Sequence, residues 1–198
     1  MTAGPDVAPT LQVVIASTRP ERQGGAVGSW FLKQATAHGA FHVELVDLAE
    51  VGLPMFDEPR HPRFRKYEHD HTKAWGAVVD RADAFVFVTP EYNYGTPPSL
   101  VNALDFVSRE WAYKAAGFVS YGGVSGGTRG VQMTKQILTA LKVMPIAEAV
   151  SIPFFAQHID KESGTFDPGE VQAKAASVML DELSRWAGAL KPLRAARG

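Results

Sequence analysis

Ala84, Phe85, Val86, Phe87 and Val88 form an unbroken apolar run that ends abruptly in Thr89, Pro90, Glu91, Tyr92, Asn93, Tyr94, Gly95, Thr96, Pro97 and Pro98. A strand with apolar side chains on both faces suits the middle of a parallel sheet covered by helices on each side. The carboxyl edge of such a sheet is where ligands bind. Pro90, Gly95, Pro97 and Pro98 stiffen that edge, and between them lie flat rings and amide or carboxylate groups suited to stacking on a planar heterocycle and reading its rim. Tyr92 and Tyr94, each taken singly, equally suit a plain strand-to-helix turn.

The flanking sequence supplies the other layers. Leu11 to Ile15 reads as a first strand, Ala26 to about Ala37 as an amphipathic helix, and Phe41 to Leu48 as a second strand. Pro54, Pro59 and Pro62 among charged residues mark a long surface loop over 54–71. Helices are expected over about 72–81 and 99–108, strands at 84–88 and 117–120, then a glycine-rich turn, a helix through Leu141 and an extended stretch around 146–152. Asp167 to Gly169 cue a last helix with apolar positions Val171, Ala175, Val178, Leu183 and Trp186. Strand and helix alternate five times, which predicts an α/β fold with a parallel sheet between two helical layers. One domain over 11–190 follows, with a disordered tail over 1–10 and a second tail over 191–198.

At 198 residues and 45% hydrophobic the chain can bury one substantial core. Its 20 basic and 21 acidic side chains give a formal charge of -1, no field to gather nucleic acid or an anionic membrane surface. No Cys is present, which removes thiolate chemistry, so any redox work falls to a borrowed cofactor. No signal-peptide pattern or membrane-spanning run stands out, and a cytoplasmic location is the expectation.

In such a sheet the turns after strands one, three and four converge. The first, Ser17 to Gly25, offers hydroxyls, Arg19, Arg22 and the backbone N–H groups of a helix amino end, as a phosphate requires. It lacks both the Walker ending and the first glycine of the dinucleotide fingerprint. Taken alone, Ser17 equally suits an ordinary helix approach. The turn after strand four, Gly122-Gly123-Val124-Ser125-Gly126-Gly127-Thr128, lets backbone approach a ligand closely. It also matches the nucleophile-elbow pattern, so a serine hydrolase with Ser125, Glu148 and His158 is an alternative, a weak one because so short a pattern arises readily in a glycine-rich turn. His61, His69, Asp70 and His71 suit a solvated helix start better than a metal site, and no metal is expected. Glu91 and Asp105 are carboxylates at the same edge, with capping and helix-face roles as the plainer readings.

With Ser17-x-Arg19, Pro90-Glu91-Tyr92-Asn93-x-Gly95 and Gly122-Gly123 in this order, the chain resembles the NAD(P)H-dependent FMN reductases of the flavodoxin-like superfamily over about residues 11–160. Asn102-Ala103-Leu104-Asp105 looks similar as well. The resemblance implies a five-stranded parallel sheet of order 2-1-3-4-5, FMN as cofactor, NADPH or NADH as reductant, and a homodimer or tetramer with FMN near the subunit interface. It implies that Ser17, Arg19, Arg22, Gly24, Gly25, Ala26 and Val27 hold the phosphate. Pro90, Glu91, Tyr92, Asn93 and Gly95 would lie along the isoalloxazine, and Gly122, Gly123 and Ser125 would close its far edge. The phosphate turn is longer than in many relatives, which leaves open which of Arg22, Gln23, Gly24 and Gly25 touches phosphate.

On this reading the chain passes a hydride from nicotinamide to FMN and on to a flavin, quinone, azo or similar small-molecule acceptor by a ping-pong mechanism. Arg60, Arg63, Arg65, Arg109 and Arg129 are all open as readers of an NADPH phosphate. A flavodoxin-like electron carrier is the other alternative, against which the near-neutral charge stands. Leu100, Val101, Leu104, Phe106 and Val107 fill more than one helical face, so Trp111 is expected at a subunit interface.

Overall fold

A computed structural model of the chain describes residues 8–196; residues 1–7 and 197–198, parts of the two expected tails, lie outside the described residues. Five parallel strands, β1 (Thr10–Ile15), β2 (His42–Asp47), β3 (Ala84–Pro90), β4 (Ala115–Tyr121) and β5 (Met144–Ile152), stand in the order β2-β1-β3-β4-β5. The helices are α1 (Gly24–His38), α2 (Leu48–Val51), α3 (Asp70–Arg81), α4 (Pro98–Asp105), α5 (Thr128–Ala140) and α6 (Glu170–Ala195). This is the flavodoxin-like arrangement, and the crossover after β1 sends β2 to one side and β3 to the other, opening a crevice at the carboxyl ends of β1 and β3.

Alternation along the strands builds two cores from one sheet. Val86 and Val88 of β3 face α1 and α6 with Leu11, Val13, Phe31, Met179 and Leu183. Phe85 and Phe87 face the other layer with Trp75, Leu104, Phe118 and Leu138. β3 is buried at every position because both of its faces are covered.

Three expectations change. Phe106 and Val107 do not extend a two-faced helix: α4 stops at Asp105 and the chain folds under the sheet. Trp111 is therefore 0% exposed within one subunit. Its ring lies 4.9 Å from Phe85 and 5.9 Å from Trp75, and its Nε1 donates to the Leu104 carbonyl. It is a core residue, not an interface residue. In α6, Val171 and Val178 point outward, and the buried stripe is Ala176, Met179, Leu180, Leu183 and Ala187. That helix continues to Ala195, where Arg194 pairs with Asp83 and donates to the Tyr113 carbonyl.

Candidate active site

The three turns meet at the carboxyl edge. β1 ends where Ala16 N–H donates to the Val88 carbonyl, which fixes Ser17 directly against the β3 turn. The Ser17 and Tyr92 hydroxyls lie 2.6 Å apart. Beyond them Thr18, Arg19, Pro20 and Glu21 run exposed before α1 begins. Gln23 provides no side-chain cap, and the first α1 N–H with a backbone acceptor is that of Val27, on the Gln23 carbonyl. The N–H groups of Gly24, Gly25 and Ala26 therefore have no intrahelical acceptor and carry the positive end of the helix dipole. Arg22 forms a 2.6 Å ion pair with Asp47 at the end of β2, while its Nε is buried without a partner.

The β3 turn is tight and braced. Tyr92 and Gly95 exchange N–H···O bonds of 3.1 and 2.9 Å, and Asn93 and Tyr94 between them have φ of 49° and 68°. Positive φ at both central residues makes this a type I′ turn. The Glu91 carboxylate turns away to brace the neighbouring loop. It accepts from Arg129 Nε at 2.6 Å, from the Arg129 backbone N–H at 3.1 Å and from Ser125 Oγ at 3.1 Å, and it pairs with a second Arg129 nitrogen. Burial opposes its ionisation, but these donors outweigh burial and hold its carboxyl below the ordinary value.

The β4 turn is fixed to the end of β5. Gly122 N–H donates to Ile152, and the Gly122 and Gly123 carbonyls accept from Phe155 and Phe154. Gly123 has open space where a Cβ would stand. Burial, with the nearby Tyr92 phenol adding to it, pushes the Tyr121 hydroxyl up, so it stays protonated as a donor beside Ser17. Ser125 Oγ donates to Glu91 and accepts from Gly127 N–H. That arrangement does not activate it as a nucleophile, and His158 instead lies edge-on to Phe166.

A pocket of about 240 Å³ opens among these turns, lined by Ser17, Arg19, Arg22, Gln23, Pro90, Glu91, Tyr92, Tyr121, Gly122, Gly123 and Phe155. Eight of the sequence-derived candidates stand in that lining. Gly24, Gly25 and Ala26 contribute helix-end backbone behind it, and the Val27 side chain is fully buried in the core. Asn93, Gly95 and Ser125 sit in the flanking turns. Tyr121 and Phe155 escape sequence reasoning, although a tyrosine ending an apolar strand is the kind of polar-tipped aromatic that a site uses. Larger hollows lie beside Leu48, Met55 and Asn102, and beside Arg109, Tyr113 and Lys142. Neither is lined by the Pro90–Tyr92 turn and the Gly122-Gly123 turn together with the approach to α1, so the smaller pocket is the candidate site.

The sequence pattern of one family, described as NADPH-dependent FMN reductase, matches residues 9–157. The chain belongs to this family. An NAD(P)H-dependent FMN reductase of Schizosaccharomyces pombe is 39% identical over 151 residues, covering 74% of this chain and 75% of the relative. One of Saccharomyces cerevisiae is 36% identical over 118 residues, covering 56% of this chain and 61% of the relative. Among solved structures, FerB of Paracoccus denitrificans, a flavoenzyme NAD(P)H:(acceptor) oxidoreductase, superposes with a TM-score of 0.72 at 21% identity, over 91% of this chain and 97% of that one. At that identity it speaks to the fold alone.

FMN and NAD(P)H are thus the cofactor and reductant of the family to which this chain belongs. The residues present fit FMN. A phosphate answers the helix-end N–H groups and the partnerless Arg22 Nε, and the bare Gly122-Gly123 backbone leaves room for a flat ring.

Proposed function

We propose that this chain is an FMN-dependent NAD(P)H oxidoreductase that reduces a small acceptor of the quinone, flavin or azo type by a ping-pong mechanism. The observation that carries the reading is the meeting of Ser17, Tyr92, Tyr121 and Gly123 around one pocket at the switch point of the sheet. FMN held here would supply the redox chemistry, accepting a hydride from the nicotinamide and returning two electrons to the acceptor.

The chain's own residues bind and orient. Ser17, Arg19 and the α1 N–H groups would hold the phosphate, with Arg22 fixed by Asp47 rather than free to swing. Pro90, Tyr92, Asn93 and Gly95 would line one edge of the isoalloxazine, and Gly122 and Gly123 the other. In this arrangement Glu91 and Ser125 act as braces between the two loops. Backbone N–H groups answer charge that develops on the ring, so no titrating acid is required. One ring face left open serves donor and acceptor in turn.

A cytoplasmic homodimer or tetramer is part of the same reading. Met55, 78% exposed, and Phe64, 55% exposed, are apolar side chains in the 54–71 loop that a second subunit would cover. Purified protein should show flavin absorbance, and initial rates at several fixed acceptor concentrations should give parallel double-reciprocal lines. A colourless protein that gains no flavin on incubation with FMN would refute the reading; converging lines would remove the ping-pong step.

A further inference from the structure

Tyr94 is a large ring left 68% exposed, and its backbone stands at φ 68°, a conformation that bulky residues avoid. A type I′ turn normally takes Asn or Gly at both central places; here Asn93 fits and Tyr94 does not. An exposed aromatic held against its backbone preference needs a reason, and none of its contacts serves packing of the core.

Arg129 fixes it. The Arg129 guanidinium carbon lies 3.8 Å from the Tyr94 ring centroid, and Arg129 is in turn gripped by Glu91. The carboxylate grips the guanidinium and the guanidinium lies over the ring, a stack that holds the tyrosine in place. Because Glu91 answers the charge of Arg129, the stack is close to neutral and offers nothing to attract an anion. It does offer a fixed aromatic surface. Such a surface favours a flat, uncharged ring, which buries its own face and stacks offset on the tyrosine. The turn that presents Tyr94 also carries Glu91 and Tyr92, which line the candidate cofactor pocket, and the Arg129 that holds Tyr94 is bound to Glu91, so the platform is tied to that lining.

We propose that Tyr94, clamped by Arg129, is the stacking platform for the flat uncharged ring of a quinone-type electron acceptor and so determines acceptor specificity. The proposal rests on the FMN reductase reading above. The test compares the FMN-loaded wild type with Tyr94→Phe and Tyr94→Asn, the latter chosen because Asn tolerates this backbone. The acceptors are 2-methyl-1,4-naphthoquinone and hexacyanoferrate(III), a hydrated anion with no aromatic face, at saturating NADPH. Tyr94→Asn is expected to raise KM for the naphthoquinone about 5-fold or more. Its kcat, its KM for hexacyanoferrate, its flavin content and its sedimentation coefficient should stay as in the wild type, and Tyr94→Phe should match the wild type throughout. An unchanged naphthoquinone KM overturns the proposal. So does an equal rise for both acceptors, which makes the ring a support of the site, or a change in sedimentation, which makes it a subunit contact. A wild type that binds no FMN and oxidises no NADPH with either acceptor sinks the functional reading instead.

Discussion

The two sides of the candidate site are built to opposite standards of rigidity. The phosphate side, residues 17–26, is half exposed and is tied by one short hydroxyl contact, one ion pair, a backbone turn bond and the Gln23 side-chain amide on the Glu21 carbonyl. The ring side, residues 90–95 and 122–130, is laced by the reciprocal Tyr92–Gly95 bonds, the Glu91 brace and the bonds to Phe154 and Phe155. A phosphate is a compact charge that flexible donors can follow, whereas a flat ring needs walls at fixed separation. The difference teaches that the same substitution should act on stability at one side and on binding at the other.

The sharpest way to break that comparison is a pair of glycine substitutions. Gly127 has φ 81°, and a Cβ there would stand 2.9 Å from the Tyr121 carbonyl oxygen. Left-handed strain together with a backbone clash should cost Gly127→Ala about 3 kcal/mol or more in urea unfolding. Gly25 has open space at its Cβ and lies in the first turn of α1. Gly25→Ala should leave stability unchanged or raise it by up to about 1 kcal/mol. Equal losses at both positions would erase the distinction between the two sides.

Glu91→Gln tests the brace. Removing the charge weakens the acceptor of four donors at once, and about 1–3 kcal/mol of stability should be lost at pH 7. The Glu91 carboxyl is held below its ordinary value of 4.5 in the folded protein, so its contribution is present above that pH and is lost as pH falls through the folded value. The gap between wild type and variant should therefore be full at pH 6 and narrow below about pH 4.5. A gap that widens in acid would mean that the carboxylate is not the stabilising form.

Legibility in the sequence followed the same divide. The buried run 84–88 and the alternation of elements were enough for the sheet, and the order of three motifs was enough for the family. Residues whose role depends on a partner far along the chain were not readable. For Glu91 a place along the ring and a plainer capping role were both open, and nothing local reveals that Arg129, 38 positions on, returns to it. Trp111 looked like an interface residue because hydrophobic spacing does not say where a helix stops; the chain turns after Asp105 and swings the indole inward. On the other side a strand end, an arginine and a helix start are adjacent in sequence, so their meeting at the sheet edge was legible, while their role toward a phosphate is part of the proposal.

Arg19→Ala probes the flexible side. Arg19 is exposed and lines the pocket, so its loss should leave unfolding unchanged. FMN affinity should fall about 10-fold, the effect of roughly 1.4 kcal/mol in a charge-assisted contact. Unaltered affinity in fluorescence titration would move the phosphate to the helix-end N–H groups alone.

Asn93 is where the two standards meet, and the expected effect on stability is the smallest. Its φ of 49° suits Asn and Gly and is mildly unfavourable for Ala, so two variants separate backbone from amide. Asn93→Gly keeps the turn and should change stability by no more than about 0.5 kcal/mol, while Asn93→Ala should lose about 1 kcal/mol. If the amide touches the flavin or the nicotinamide, both variants slow flavin reduction by NADPH in stopped flow to a similar degree. If only the turn matters, Asn93→Gly reduces at the wild-type rate and Asn93→Ala alone is slow. The second outcome would make the residue part of the rigid wall and leave recognition of the ring to Tyr92 and the backbone.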